Sequence, residues 1–272
     1  MPSGVHPSAF VDPKAQHGAG VRIGPFAVVG PNVVLGEGAI IHPHAVVDGH
    51  TEVGPGAEIF PGAVVGLTPQ DLKFDGTPTR LEIGAKTVIR ECATLHPGSV
   101  GARALGVTTV GENCLIMAYC HVAHDCVVGS HVVLANAVQL AGHVTVEDHA
   151  ILGGLTNVHQ FCRIGTRAFT GAATRVSQDI PPYLMADGHP ARMVGLNLVG
   201  LKRSGMSPEA VTALKRAYRR IFLGSRFQNS IKEVEAELGE IPEVARLVAF
   251  LGSSERGITR ASLGARGKSE AE

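Results

Sequence analysis

A six-residue period constrains this chain more than any other feature. Aliphatic residues recur at Val5, Val11, Ile23, Val29, Leu35, Ile41, Val47, Val53, Ile59 and Val65, and only His17 interrupts them. The series resumes at Ile83, Ile89 and Leu95. It resumes again from Val110 through Ile116, Val122, Val128, Leu134, Leu140, Val146, Leu152, Val158 and Ile164, and closes with Thr170 and Val176. A helix spaces apolar residues three and four apart, and a half-buried strand spaces them two apart. Six fits a short strand and a tight corner repeated, with three hexads (about 18 residues) closing one triangular coil. Four places after each aliphatic residue stands a small one, as at Ala27, Ala39, Ala45, Thr51, Ala57 and Ala63. Glycine often follows the aliphatic residue, as at Gly24, Gly36 and Gly54, which reads as a corner needing unusual backbone angles. The expected fold is mainly β, a left-handed parallel β-helix. Tryptophan is absent and aromatic residues make up 4% of the chain, which suits a narrow aliphatic interior.

The phase breaks twice, over 67–82 and 98–109, and both stretches read as loops thrown out from the prism. Loops on a rigid scaffold tend to carry function. After Val176 the pattern ends at Pro181-Pro182. Ser207-Pro208-Glu209 then supplies an N-cap, a proline at the first helical position and an acid in the first turn. Helices are expected over 210–222, 231–238 and 244–251. The division is a β-helix over 1–190 and a C-terminal helical domain over 191–272, its tail fraying at the end. A prism of flat faces with open sheet edges invites side-by-side association, and a homotrimer is expected.

Net charge is zero, which gives no sign of nucleic-acid binding. Residues 202–272 carry 13 Lys and Arg against 9 Asp and Glu, so this end fits either an acidic partner or a solvated helix face. No apolar run reaches the roughly 18 residues of a membrane span and no signal peptide opens the chain, so the expected location is cytoplasmic. Cys114, Cys120, Cys126 and Cys162 occupy the small position of their hexads and read as core groups, with no CxxC pair for zinc or redox work.

Residues 18 apart stack one coil above another, roughly 4.8 Å apart. By that arithmetic His124 lies under Gly142, which lies under Gln160. Asp125 lies under His143, and Ala123 lies under Ala141 and His159. One face collects His121, His124, Asp125, His143, His159 and Gln160, and His96 joins from an earlier coil. A neutral histidine suits removal of a proton from a hydroxyl, and Asp125 can orient the ring. The Gly142 N–H can stabilise an oxyanion. No covalent nucleophile stands on this face, which favours direct transfer in a ternary complex. A lone surface histidine is ordinarily just solvated, but a cluster on one face is a candidate site. Zinc is the rival occupant.

Several segments resemble the UDP-N-acetylglucosamine O-acyltransferases that begin lipid A synthesis. They are Gln70-Asp-Leu-Lys73, His121-Val-Ala-His-Asp-Cys126, Leu140-Ala-Gly-His143, Val158-His-Gln-Phe-Cys162, Gln178-Asp-Ile-Pro-Pro-Tyr183 and Gly200-Leu-Lys-Arg203. The resemblance implies transfer of a 3-hydroxyacyl group from acyl carrier protein to the glucosamine 3-hydroxyl. The group arrives on the carrier's phosphopantetheine, with no resident cofactor or metal. It assigns His124 as general base, Asp125 as its partner and Gly142 as the oxyanion position. It assigns substrate contacts to Gln70, Asp71, Lys73, His96, His121, His143, His159, Gln160, Asn197 and Arg203. Ala172, near His189, matches the position that measures acyl length, and its small size implies a chain of about twelve to fourteen carbons. Val199 and Ser204 stand where some relatives carry Glu and Arg, so an amino-sugar acceptor is an alternative. A histidine-metal hydratase and a non-catalytic scaffold are the others.

Overall fold

The computed structural model describes residues 4–224 and 226–261. The expected loose end of the tail, 262–272, lies outside the described residues. Among these, short strands stack into three sheets of eleven, nine and eight strands, and every successive pair is parallel except the last pair of the first sheet. The chain visits the three sheets in turn, one hexad each, which makes a left-handed parallel β-helix of triangular section. Register follows the sequence period: Ile23 pairs with Ile41 and Ile41 with Ile59. The hexad leucines and isoleucines fill the axis, with Ile41, Ile59, Leu95, Leu134 and Leu152 all at 0% exposure. Each such burial contributes about 1.5–3 kcal/mol. The small residues Ala27, Ala45 and Ala63 also point inward and are fully buried, because two side chains per hexad must share a narrow interior.

Glycine plays a different part in the corners from the one expected. Gly24 and Gly36 do not take left-handed angles. A Cβ at Gly36 would stand 2.6 Å from the nitrogen of Pro55 one coil above, so these glycines allow close approach between coils. The left-handed angle falls two residues later, where glycine takes it in some coils, as at Gly38 and Gly56, and ordinary residues in others: Phe26, His44, Tyr119, Asp125, His143 and Phe161 all have φ between 58° and 65°. Each costs about 1–2 kcal/mol, offset by the ladder bonds that the corner allows.

Both loops are shorter than the hexad phase implied. Arg80–Ile83 and Val107–Val110 are strands, paired with each other, and Arg80–Ile83 also pairs with His50–Val53. Leu81 and Thr108 point inward two residues before Ile83 and Val110, so the strand period of two outruns the period of six. The boundary at 190 also moves. Leu184–Asp187 and Arg192–Leu196 form an antiparallel hairpin that closes the first sheet, and the helical part begins only at α1 (Leu198–Arg203). There follow α2 (Pro208–Phe222), α3 (Phe227–Leu238) and α4 (Pro242–Gly252). Ser207 caps α2 by accepting from the Ala210 N–H. Leu214, Val234, Val244 and Leu247 form their shared core. The segment after α4 returns to the prism, where Ile258 bridges to Asp179 and Ala261 to Met193.

Candidate active site

The prism edge between the second and third sheets gathers the histidines. His124 follows the strand His121–Val122, and Asp125 holds the left-handed corner angle, φ 58°. That angle turns its carboxylate back to His124, whose Nδ1 lies 2.8 Å from Oδ2. Oδ2 also accepts from the Ser99 N–H at 3.0 Å and the Ser99 hydroxyl at 2.6 Å. Oδ1 accepts from the N–H groups of Leu105 and Gly106 at 2.8 and 3.1 Å. Burial opposes ionisation of Asp125, but the bonds from Ser99, His124 and Leu105 outweigh it and hold the carboxyl below its ordinary value. A carboxylate only accepts, so Nδ1 of His124 carries a proton, and in the neutral ring Nε2 keeps its lone pair.

One coil above, Gly142 packs on that ring, and a Cβ there would stand 2.7 Å from Nε2. Among the described residues nothing accepts the Gly142 N–H. The same hexad position holds proline at Pro25, Pro31, Pro43, Pro55 and Pro61, which shows that the fold does not need this N–H. His143 stands edge-on to His124 at 5.1 Å and stacks on Phe161 at 4.5 Å. Burial lowers the pKa of His143, and it also lowers that of His121, where His96 and His124 add to the effect. Both rings are therefore neutral near pH 7.

The structure brings Gln70, His96 and His121 into the same neighbourhood. The His96 Nδ1 lies 3.0 Å from the carbonyls of Leu67 and Thr68, and Gln70 Nε2 lies 3.4 Å from its Nε2, so His96 fastens the first loop to the wall. On that loop the Asp71 carboxylate acts on His143 through space, and Lys73 is exposed. Gln160 is exposed, and His159 meets Arg256 at 3.1 Å. Four other residues lie elsewhere in the chain. Asn197 is buried at the edge between the third and first sheets, capping α1 through Gly200 and donating to the Arg167 carbonyl, with Arg203 exposed at the end of α1. Ala172 and His189 are exposed near the third edge, where the 188–191 segment bonds to Arg175. Sequence reasoning missed Ser99, Leu105, Gly106 and Thr94. Thr94 was within reach, because the nine residues added before Val110 place it directly below His121.

A metal is a poor fit. His124, Asp125 and His143 offer ligand atoms within 4.8 Å of one another. Yet five donors already occupy the two oxygens of Asp125, and a bound cation would have to displace them.

Proton removal beside a donor for a developing oxyanion is what acyl transfer to a hydroxyl or amine requires. The fold places that chemistry among the hexapeptide-repeat acyltransferases. Residues 14–49 and 108–142 match the bacterial transferase hexapeptide (six repeats) family, and 179–259 match domain 2 of UDP-N-acetylglucosamine O-acyltransferase. The acyl-[acyl-carrier-protein]–UDP-N-acetylglucosamine O-acyltransferase of Alkalilimnicola ehrlichii is 56% identical over 257 residues, covering 94% of this chain and 99% of that protein. The LpxA structure from Acinetobacter baumannii superposes with a TM-score of 0.90 at 42% identity, over 94% of this chain and 99% of that one. The UDP-N-acetylglucosamine acyltransferase structure from Francisella novicida also reaches 0.90, at 37% identity over 97% and 96%. The chain belongs to the UDP-N-acetylglucosamine O-acyltransferase family.

Proposed function

We propose that the chain transfers a 3-hydroxyacyl group from acyl carrier protein to the 3-hydroxyl of UDP-N-acetylglucosamine, the first step of lipid A synthesis, in the cytoplasm. The observation that carries the mechanism is the free lone pair on Nε2 of His124, fixed by Asp125 and set against an unclaimed Gly142 N–H. Nε2 takes the proton of the acceptor hydroxyl as its oxygen attacks the thioester carbon. The Gly142 N–H receives the developing oxyanion. Collapse breaks the carbon–sulfur bond, and the thiolate of the phosphopantetheine arm recovers the proton from His124. No resident cofactor takes part.

The placement of the residues supports a homotrimer. The family's positions occupy all three edges of one prism: His124 on one, Asn197 and Arg203 on the second, Ala172 and His189 near the third. A site shared between copies, edge against edge, would gather them. Light scattering should then give a particle of about 85 kDa, three times the 28.3 kDa chain.

The deciding experiment is mass spectrometry of products from UDP-N-acetylglucosamine and a panel of 3-hydroxyacyl carrier proteins. An alkali-labile ester supports the proposal. An alkali-stable amide from an amino-sugar nucleotide would move the acceptor to nitrogen, and no product from any chain length would overturn the reading. His124→Ala should lower kcat by about 10²–10⁴-fold.

A further inference from the structure

His121 has a neighbour that no motif marked. Thr94 stands directly below it on the second sheet, in parallel register, with its Oγ1 2.8 Å from the His121 Nδ1. Neither atom has another partner among the described residues, and neither does the His121 Nε2. His121 lines an open groove of about 400 Å³ beside His124, together with Gln139, Ala141, Asn157, His159 and Arg175.

We infer that Thr94 is a positioning residue for the transfer reaction: its hydroxyl donates to Nδ1 of His121, fixes the Nε2–H tautomer, and so presents a hydrogen-bond donor to a substrate carbonyl oxygen in the groove. The opposite polarity would leave the threonine proton without an acceptor among the described residues. With threonine as donor, both groups at the contact are satisfied. Thr94 is β-branched and sits on a strand, so its χ1 is stiff and its hydroxyl stays aimed. The reacting sugar and the thioester each carry a carbonyl, and the same donor chemistry serves either. The inference rests on the acyl-transfer reading of this site.

The test compares Thr94→Val, which keeps the shape and removes the hydroxyl, with Thr94→Ser, which keeps the hydroxyl. Long-range proton–nitrogen correlation spectra, with His121 assigned through His121→Gln, read the tautomer above pH 8. Steady-state kinetics read the consequence. In the unsubstituted protein His121 should be the Nε2–H form. Thr94→Val should populate the Nδ1–H form and lower kcat/KM about tenfold with an unchanged melting temperature. Thr94→Ser should recover to within about threefold. A rise in KM for the sugar nucleotide alone would identify the sugar's carbonyl as the acceptor, and a fall in kcat alone would identify the thioester's. An Nδ1–H tautomer in the unsubstituted protein, or a Thr94→Val protein with unaltered tautomer and rate, would overturn the inference. Absence of any transfer by the unsubstituted protein would instead refute the acyl-transfer reading, and the tautomer would still decide what Thr94 does.

Discussion

Gly142→Ala isolates the site from the fold. The added Cβ would stand 2.6 Å from Cε1 and 2.7 Å from Nε2 of His124, where ordinary contact begins near 3.4 Å. The ring must therefore retreat by about 0.8 Å. A retreat along the line away from Asp125 would stretch the 2.8 Å Nδ1 bond to about 3.6 Å, beyond hydrogen-bond range. Misplacing a reacting group by about 1 Å costs on the order of 100-fold in rate, a barrier rise of about 2.7 kcal/mol. The backbone itself accepts alanine, because Ala85 and Ala118 occupy the same hexad position in lower coils. Stability should change by no more than about 1 kcal/mol, or about 2–4 °C in melting temperature. Initial rates of product formation by mass spectrometry, paired with thermal unfolding by circular dichroism, measure both quantities. A protein that keeps kcat within about threefold of the parent would refute the claim that His124 needs this space. So would one that loses activity only because it unfolds.

Asp125→Asn should be costlier to stability, because a neutral amide cannot accept the full set of donors from Ser99, Leu105, Gly106 and His124. A loss of about 3 kcal/mol at pH 7 is expected in urea unfolding. The carboxyl's pKa is depressed, so its contribution is complete above the unfolded value near 3.8 and disappears as pH falls through the folded one. The gap between parent and variant should therefore narrow at pH 3, and a gap independent of pH would count against the ionised carboxylate. Chelation by EDTA should leave the transfer rate unchanged, and stoichiometric zinc in the purified protein would restore the metal reading. Ala172→Met should shorten the preferred acyl chain by roughly three carbons, the added length of the side chain, and an unaltered product distribution would remove Ala172 from the measuring position.

The hexad period made the prism legible because one physical requirement, a filled narrow axis, repeats at every coil. The same arithmetic stacks Gly142 on His124. It failed where a second period intervened: Leu81 and Thr108 obey the strand's period of two and extend the wall into stretches that had read as loop. It was silent on loops, whose conformation depends on partners distant in sequence. Nothing local marks Ser99 or Gly106 as ligands of Asp125. The return of the chain after α4, which sets Arg256 beside His159 and Ser254 on Asp179, likewise depends on tertiary packing. Asn197 shows the opposite difficulty. Its residue type matched a nucleotide contact, yet in the folded chain its amide caps α1 and ties that helix to the Arg167 carbonyl.

Proline is permitted at the second residue of a corner because no neighbour requires an amide proton there. Lower coils fill that place with Pro25, Pro43 and Pro61, and they are chemically mute along their edges. Upper coils that dispense with proline carry an amide in that place, and on the histidine edge those of His124, Gly142 and Gln160 point outward in a file at fixed intervals with no acceptor among the described residues. Chemistry can be written onto such a file one coil at a time, by choosing which rung carries a histidine and which carries nothing larger than hydrogen. An architecture that separates its structural hydrogen bonds from its spare ones can therefore change reactions without changing shape.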